Sequence, residues 1–210
     1  MDLHDQVVIV RGEQELHDRT AHLFAGATSE IACAANTLYT WVATNRGVKP
    51  KVKRVRKMFR LSAMLDPSWS QHAHVMADHG ADVRVSADEL NETILIDRRI
   101  AILAGDAAHG LRSFSVITRP EVVHGITSLF DAAWRAAKDL RVHDAEMTEL
   151  RTLAPQILDA LHAGWKDETA ARALGLSLRT YRRRVAELMA ALGATSRFQA
   201  GALANELGLI

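Results

Sequence analysis

Four arginines occupy six positions near the C-terminal end of this 210-residue chain: Arg179, Arg182, Arg183 and Arg184. A guanidinium donates two parallel hydrogen bonds to a phosphate or to the acceptor edge of a guanine, so arginine at this density points to a nucleic acid. The neighbouring apolar residues say where the groups project. Tyr181, Val185, Leu188 and Leu192 recur at intervals of four, three and four, which places them along one face of a helix. Arg179, Arg182 and Arg183 then emerge from the opposite face. Cations early in a helix oppose its dipole, so helix stability does not account for them.

Other chemistry has less support. His72, His74 and His79 are grouped, yet no carboxylate or cysteine lies at a metal-site spacing. His74 and His79 are five residues apart, not the four that put two ligands on one helix face, so no metal or cofactor is expected. Cys33 is the single cysteine and sits in the apolar run Ile31 to Ala35, where a small buried residue is expected. The stretch from Lys49 to Arg60 is dense in Lys and Arg. It reads as a solvated connection, with a second phosphate-contacting or anion-binding surface as the alternative.

The elements that must position these groups follow from periodicity. Strands are expected at Val7–Val10, Glu30–Ala35, Lys57–Leu65, Ala81–Ser86 and Phe114–Thr118, with a hairpin over Thr93–Leu103 broken near Asp97 to Arg99. Helices are expected at Glu13–Ala25, Thr37–Thr44, Pro67–His79 and Glu121–Leu140. Alternation of strand and helix predicts an α/β N-terminal domain with a mostly parallel sheet, over residues 1–143. Beyond a short linker or helix continuation at 141–149 the strand signal stops. Four helices then make an all-α domain over 148–210: Pro155–Ala163, Asp167–Leu174, Leu178–Leu192 and Arg197–Leu207. Ser177 stands where the third should be capped, and Gly193 where it should stop. Phe198, Leu203 and Leu207 are read as core.

Composition fits two such domains. Hydrophobic residues make up 48% and charged residues 24%, enough for a core and unlike a disordered chain. The net charge of +1 divides unevenly: eight Lys and Arg against five Asp and Glu from residue 151 onward, and eighteen against twenty before it. No apolar stretch approaches the roughly eighteen residues of a membrane span. The start MDLHDQ lacks a signal peptide's pattern. A cytoplasmic protein at the nucleoid is expected, without a membrane partner.

A short helix, the turn Gly175-Leu176-Ser177 and a basic amphipathic helix together make a helix-turn-helix, whose second helix enters the major groove. From Leu153 to about Ala202 the chain resembles the LuxR/GerE-type helix-turn-helix of bacterial transcription regulators. The resemblance is carried by Gly164, by Asp167 to Leu174, by Gly175-Leu176-Ser177, by Thr180, and by Leu192-Gly193-Ala194 with Arg197. The family's usual residues are replaced by Ala154-Pro155-Gln156 at the start, by Tyr181 after the threonine, and by Ala191 before Leu192. The resemblance implies a homodimer bound to double-stranded DNA. Carried over by position, Leu178, Arg179, Arg182 and Arg183 face the groove, with Ser177, Thr180, Lys166 and Arg184 near backbone phosphates.

Ahead of this module, Gly80 to Val85 and Ile94 to Gly105 look like the strand-and-hairpin region of the phospholipase-D superfamily. That superfamily's chemistry uses His-x-Lys-x4-Asp, with His as nucleophile and Lys on the phosphate. With Asp97 as the last residue, Leu90 falls at the His position and Glu92 at the Lys position, so no catalytic residues are expected. The resemblance then implies a non-catalytic domain for ligand sensing or dimerisation, as in TrmB-type regulators. A small-molecule effector would sit beyond the carboxyl ends of the strands, near Arg11, Asn36, Tyr39, Trp41, Asp66 and Ser86. Two other functions remain open: a response regulator with a degenerate phospho-receiver domain, using Asp66, and a phosphodiesterase of phospholipase-D type. The first strand runs into Arg11-Gly12-Glu13 and so lacks a receiver's acidic pair.

Overall fold

Strands and helices are interspersed as far as residue 139, after which the described elements are all helices. A computed structural model describes residues 7–35, 51–88, 91–108 and 111–210. In chain order the elements are β1 (Val7–Arg11), α1 (Glu13–Ala25), β2 (Glu30–Ala35), β3 (Arg54–Arg60), a 3-10 turn (Ser62–Leu65), α2 (Pro67–Asp78), β4 (Asp82–Ser86) and β5 (Thr93–Ile96). Next come β6 (Ile100–Ala108), β7 (Leu111–Ile117), α3 (Pro120–Ala136), β8 (Lys138–Asp139), α4 (Leu140–His162), α5 (Asp167–Ala173), α6 (Leu178–Leu192) and α7 (Arg197–Glu206). The helix expected over Thr37–Thr44 lies outside the described residues. Two compact units result: the residues up to Arg60 with His72–Lys138, and Leu61–Gln71 with Asp139–Ile210.

The first unit holds an eight-stranded sheet in the order β1-β7-β6-β5-β2-β3-β4-β8. The expectation of a mostly parallel sheet is corrected. β2–β3 and β3–β4 pair in parallel, whereas β1–β7, β7–β6, β6–β5 and β5–β2 are antiparallel. The reason is loop length. The connections from β5 to β6 and from β6 to β7 are too short for a crossover, so those strands must turn back on themselves. Helix α2 lies between β3 and β4, which do run in parallel.

The β5–β6 turn matches the expected break. Asp97 and Arg98 take left-handed backbone angles (φ 52 and 56), and the Arg99 N–H donates to the Ile96 carbonyl at 3.0 Å. Such angles suit Asp better than most non-glycine residues. The Asp97 carboxylate also accepts from the N–H groups of Thr28, Ser29 and Glu30 at 3.0, 2.8 and 2.8 Å. One turn residue thus anchors the entry to β2.

Both faces of the sheet are covered. On one, Ala32, Ala34, Met58, Leu95, Ala101 and Ile117 pack with Val123, Phe130 and Trp134 of α3. The alanines of β2 leave room for the aromatic rings. On the other, Leu16 of α1 lines a small cavity together with Ile94, Ile102 and Phe114. Cys33 is fully buried, as expected, and burial raises its thiol pKa.

Several boundaries differ from the expectation. The basic run is a solvated connection at Lys51 and Lys53, which are exposed, but Arg54–Arg60 is the interior strand β3, with Arg56 and Lys57 buried. The segment Ser62–Leu65, read as the end of that strand, is a 3-10 turn. Helix α3 stops at Ala136, and the two residues of β8 separate it from α4. Residues 141–149 are helix, because α4 begins at Leu140, capped by the Asp139 carboxylate, and carries Pro155 inside it. The expected helix start at Pro155 is corrected: the residue lies inside α4 and is exposed, where a proline in a helix interior is best tolerated.

The second unit is a helical cluster. Leu150, Ile157 and Leu158 of α4, Ala170 and Ala171 of α5, the apolar stripe of α6, and Ala200 and Ala204 of α7 form its core. Phe198 departs from the expected core: it is 89% exposed on α7. Leu203 and Leu207 are half-buried.

Candidate nucleic-acid interface

The turn before α6 is built by two residues. Gly175 takes φ 67, which a side chain would strain, and the Leu176 N–H donates back to the Ala171 carbonyl at 2.8 Å. Ser177 Oγ then accepts from the Thr180 N–H at 3.1 Å and lies 2.9 Å from Thr180 Oγ1. Both hydroxyls assigned to phosphate are therefore grouped at the N-terminus of α6, where backbone N–H groups favour an anion. At its other end, Gly193 takes φ 72 and closes the helix.

The expected faces of α6 are present. Tyr181, Val185, Leu188 and Leu192 are buried, while Arg179, Arg182 and Arg183 are exposed and Leu178 is half-buried. Lys166, the residue before α5, is exposed as well. Arg184 is the exception. Its side chain is 8% exposed, with Nη1 held by Glu187 Oε2 at 2.6 Å, so it is turned away from any phosphate. The geometry explains this: Arg184 neighbours the inward-facing Val185 and lies three residues beyond Tyr181.

The exposed arginines are not equivalent. Arg183 Nε lies 3.7 Å from Glu187, a loose surface pair. Arg182 donates from Nε to Asp167 Oδ2 at 2.9 Å, and Arg197 from Nη1 and Nη2 to both oxygens of the same carboxylate. The hydrogen bond from Arg197 leads the causes that hold the Asp167 carboxyl below its ordinary pKa, partly offset by burial. Sequence reading missed this cluster. Asp167, Arg182 and Arg197 belong to three helices, and no periodicity links them.

The candidate ligand residues fare differently. Asn36, Tyr39 and Trp41 lie outside the described residues. Arg11 ends β1, exposed, and its N–H donates to Glu15. Asp66 caps α2: its Oδ1 accepts from the Ser68 N–H at 2.7 Å and from the Ser68 hydroxyl. Ser86 is buried and accepts from the Asp88 N–H. A cleft of about 260 Å³ opens over the α3 side of the sheet, lined by Met58, Thr93, Leu103, Ile126 and Phe130 among others, and neither Arg11 nor Ser86 lines it. Glu92 is buried and paired with Arg112 Nη1. Among the described residues no cluster of His, Cys, Asp and Glu could hold a metal ion, and no helix is long and apolar enough to cross a membrane.

No protein-family profile matches the chain. It is 34% identical, over 153 residues, to the bialaphos biosynthetic pathway regulatory protein of Streptomyces hygroscopicus, covering 69% of this chain and 57% of that one. The chain thus spans little more than half the length of that relative. Among solved structures it is similar to TrmBL2, an archaeal chromatin protein with a novel mode of DNA binding (16% identity, TM-score 0.47, 66% of this chain and 55% of that one). It is also similar to Nuc, a phospholipase D family member of Salmonella typhimurium (14% identity, TM-score 0.47, 64% of this chain and 98% of that one).

Proposed function

We propose that this chain is a sequence-specific, DNA-binding transcription regulator. In this reading residues 148–210 are a LuxR-type helix-turn-helix and residues 1–143 a phospholipase-D-like domain without catalysis, serving an effector or dimerisation. The observation that carries it is the division of α6 into a buried stripe and an exposed arginine face, directly after a glycine turn capped by Ser177. The relative named a regulatory protein supports the same role. Arg179 has no ion-pair partner among the described residues, which favours it as the first base reader. Arg182 and Arg183 complete the base-facing set, with Lys166, Ser177 and Thr180 on phosphates. The protein works as a homodimer at the nucleoid, and the exposed Phe198 on α7 is suited to the dimer contact.

Against a phosphodiesterase stands the chemistry of the degenerate motif. Leu90 cannot attack phosphorus, Glu92 would repel a phosphate, and Asp97 spends its carboxylate on the N–H groups at the start of β2. Against a phospho-receiver stands Asp66, whose carboxylate caps α2.

The test is binding to a duplex selected by the protein from a random pool. Arg179→Ala should cost about 1–3 kcal/mol and relax the preference at one base pair. Arg183→Ala should do the same if it reads a base, or weaken all sequences alike if it meets a phosphate. Unchanged binding in both single variants and in the double variant would sink the proposed docking.

A further inference from the structure

Asp167 begins α5, and its carboxylate is shared by arginines from two other helices. Arg182 of α6 reaches Oδ2 at 2.9 Å, and Arg197 of α7 reaches Oδ1 at 2.5 Å and Oδ2 at 3.0 Å. Glu168 adds a second carboxylate 3.7 Å from Arg182 Nη2. The carboxylate is 12% exposed, whereas the side chains of Arg182 and Arg197 are 57% and 46% exposed. Each guanidinium thus has one edge on the carboxylate and another in solvent. The two-pronged grip on Arg197 is the geometry that a phosphate also offers. Arg197 stands at the first position of α7, where the helix dipole is unfavourable to a cation, so an anion beside it is needed whether or not DNA is bound.

We propose that Asp167 is a specificity-determining residue that stands in for phosphate. It holds Arg182 and Arg197 on the protein and withholds them from sequence-independent contacts with the DNA backbone. This rests on the DNA-reading function above. Non-specific affinity comes almost wholly from cations that neutralise phosphates and release counterions. Two guanidiniums already neutralised within the protein release nothing, so stray DNA is held weakly. At a matching site, base contacts from Arg179 seat α6 in the groove, where a base edge takes Arg182 from the carboxylate and a phosphate takes Arg197.

Full-length wild type, Asp167→Asn and Asp167→Glu should be titrated against two duplexes, one selected by the protein from a random pool and one unrelated. Asp167→Asn should bind the unrelated duplex about fivefold more tightly and steepen its log–log salt slope by about one to two, one per phosphate gained. The ratio between the two duplexes should fall, and Asp167→Glu should restore both slope and ratio. An unchanged slope for Asp167→Asn, or equal weakening on both duplexes, overturns the proposal and leaves Asp167 a scaffold residue. If the wild type binds neither duplex at low salt, the DNA-reading function itself is overturned. If Asp167→Asn does not fold, NMR on the wild type decides. The Asp167 carboxyl carbon resonance should move as the selected duplex is added, and a resonance unmoved at saturation refutes the exchange.

Discussion

Arg56 and Asp131 form an ion pair inside the α/β unit, with Arg56 Nη1 donating to Asp131 Oδ1 at 2.7 Å while the arginine side chain is only 4% exposed. Its Nη2 donates to Glu30 at 3.1 Å, and the guanidinium lies 5.0 Å from the ring centroid of Phe130 and 5.3 Å from that of Trp134. Arg98, from the β5–β6 turn, adds a second cation to both carboxylates. A charge so deep is tolerated because two carboxylates and two aromatic rings surround it. The network joins β2, β3, α3 and the turn.

Arg56→Ala should therefore destabilise the protein by about 3–5 kcal/mol, the cost of leaving buried partners unpaired. Arg56→Met, which refills the volume against Phe130 and Trp134, should lose less. Chemical denaturation followed by tryptophan fluorescence measures both. Equal losses in the two variants would show that charge, not packing on the rings, dominates.

Stability should fall in acid through Asp97 and Asp131. Burial pushes both carboxyls up, but the N–H bonds to Asp97 and the Arg56 contact with Asp131 outweigh it, so both pKa values lie below the usual carboxylate range. The folded state then binds these protons less readily than the unfolded chain. Their contribution is fully present above about pH 4, near the unfolded value, and is lost as pH falls through the depressed folded values. Asp97→Asn should remove part of the acid-sensitive term and cost about 2 kcal/mol at neutral pH, since hydrogen bonds to a charged group are the strong ones. Thermal melts between pH 2 and 7, on the order of the range that spans these groups, give the comparison.

Gly193→Ala should lower stability by about 1 kcal/mol, because φ 72 is open to glycine and strained for alanine. Gly201, inside α7, gives the contrasting case: beyond its chain neighbours and the backbone of its own helix, no atom lies within 4 Å of where its Cβ would be. Gly201→Ala should stabilise by about 0.5–1 kcal/mol through helix propensity. Opposite shifts in melting temperature for these two variants are the expected result.

Arg184→Met separates structure from DNA contact. With its guanidinium turned to Glu187, Arg184 should influence folding but not the salt dependence of DNA binding. A salt slope reduced by about one would mean that it reaches a phosphate after all.

What could be read in advance was local. The 3.6-residue stripe of Tyr181, Val185, Leu188 and Leu192 defined α6 to the residue, with Ser177 and Gly193 as its ends, because caps and periodicity act within a turn or two of the chain. Cys33 and the Asp97 turn were legible for the same reason. Helix α4 was not, since a proline that usually opens a helix sits within this one. The direction of the sheet was not either: a helix separates the parallel strands β3 and β4, but β1 pairs antiparallel with β7 across most of the domain.

The sequence by itself determined that a capped, basic, one-sided helix follows a glycine turn. Only the tertiary structure decided which arginines are available. Arg184 is buried, Arg182 shares Asp167 with Arg197, and Arg179 stands clear. Charge density is a property of adjacent residues, whereas the partner of a guanidinium is set by helices that meet from fifteen and thirty positions away.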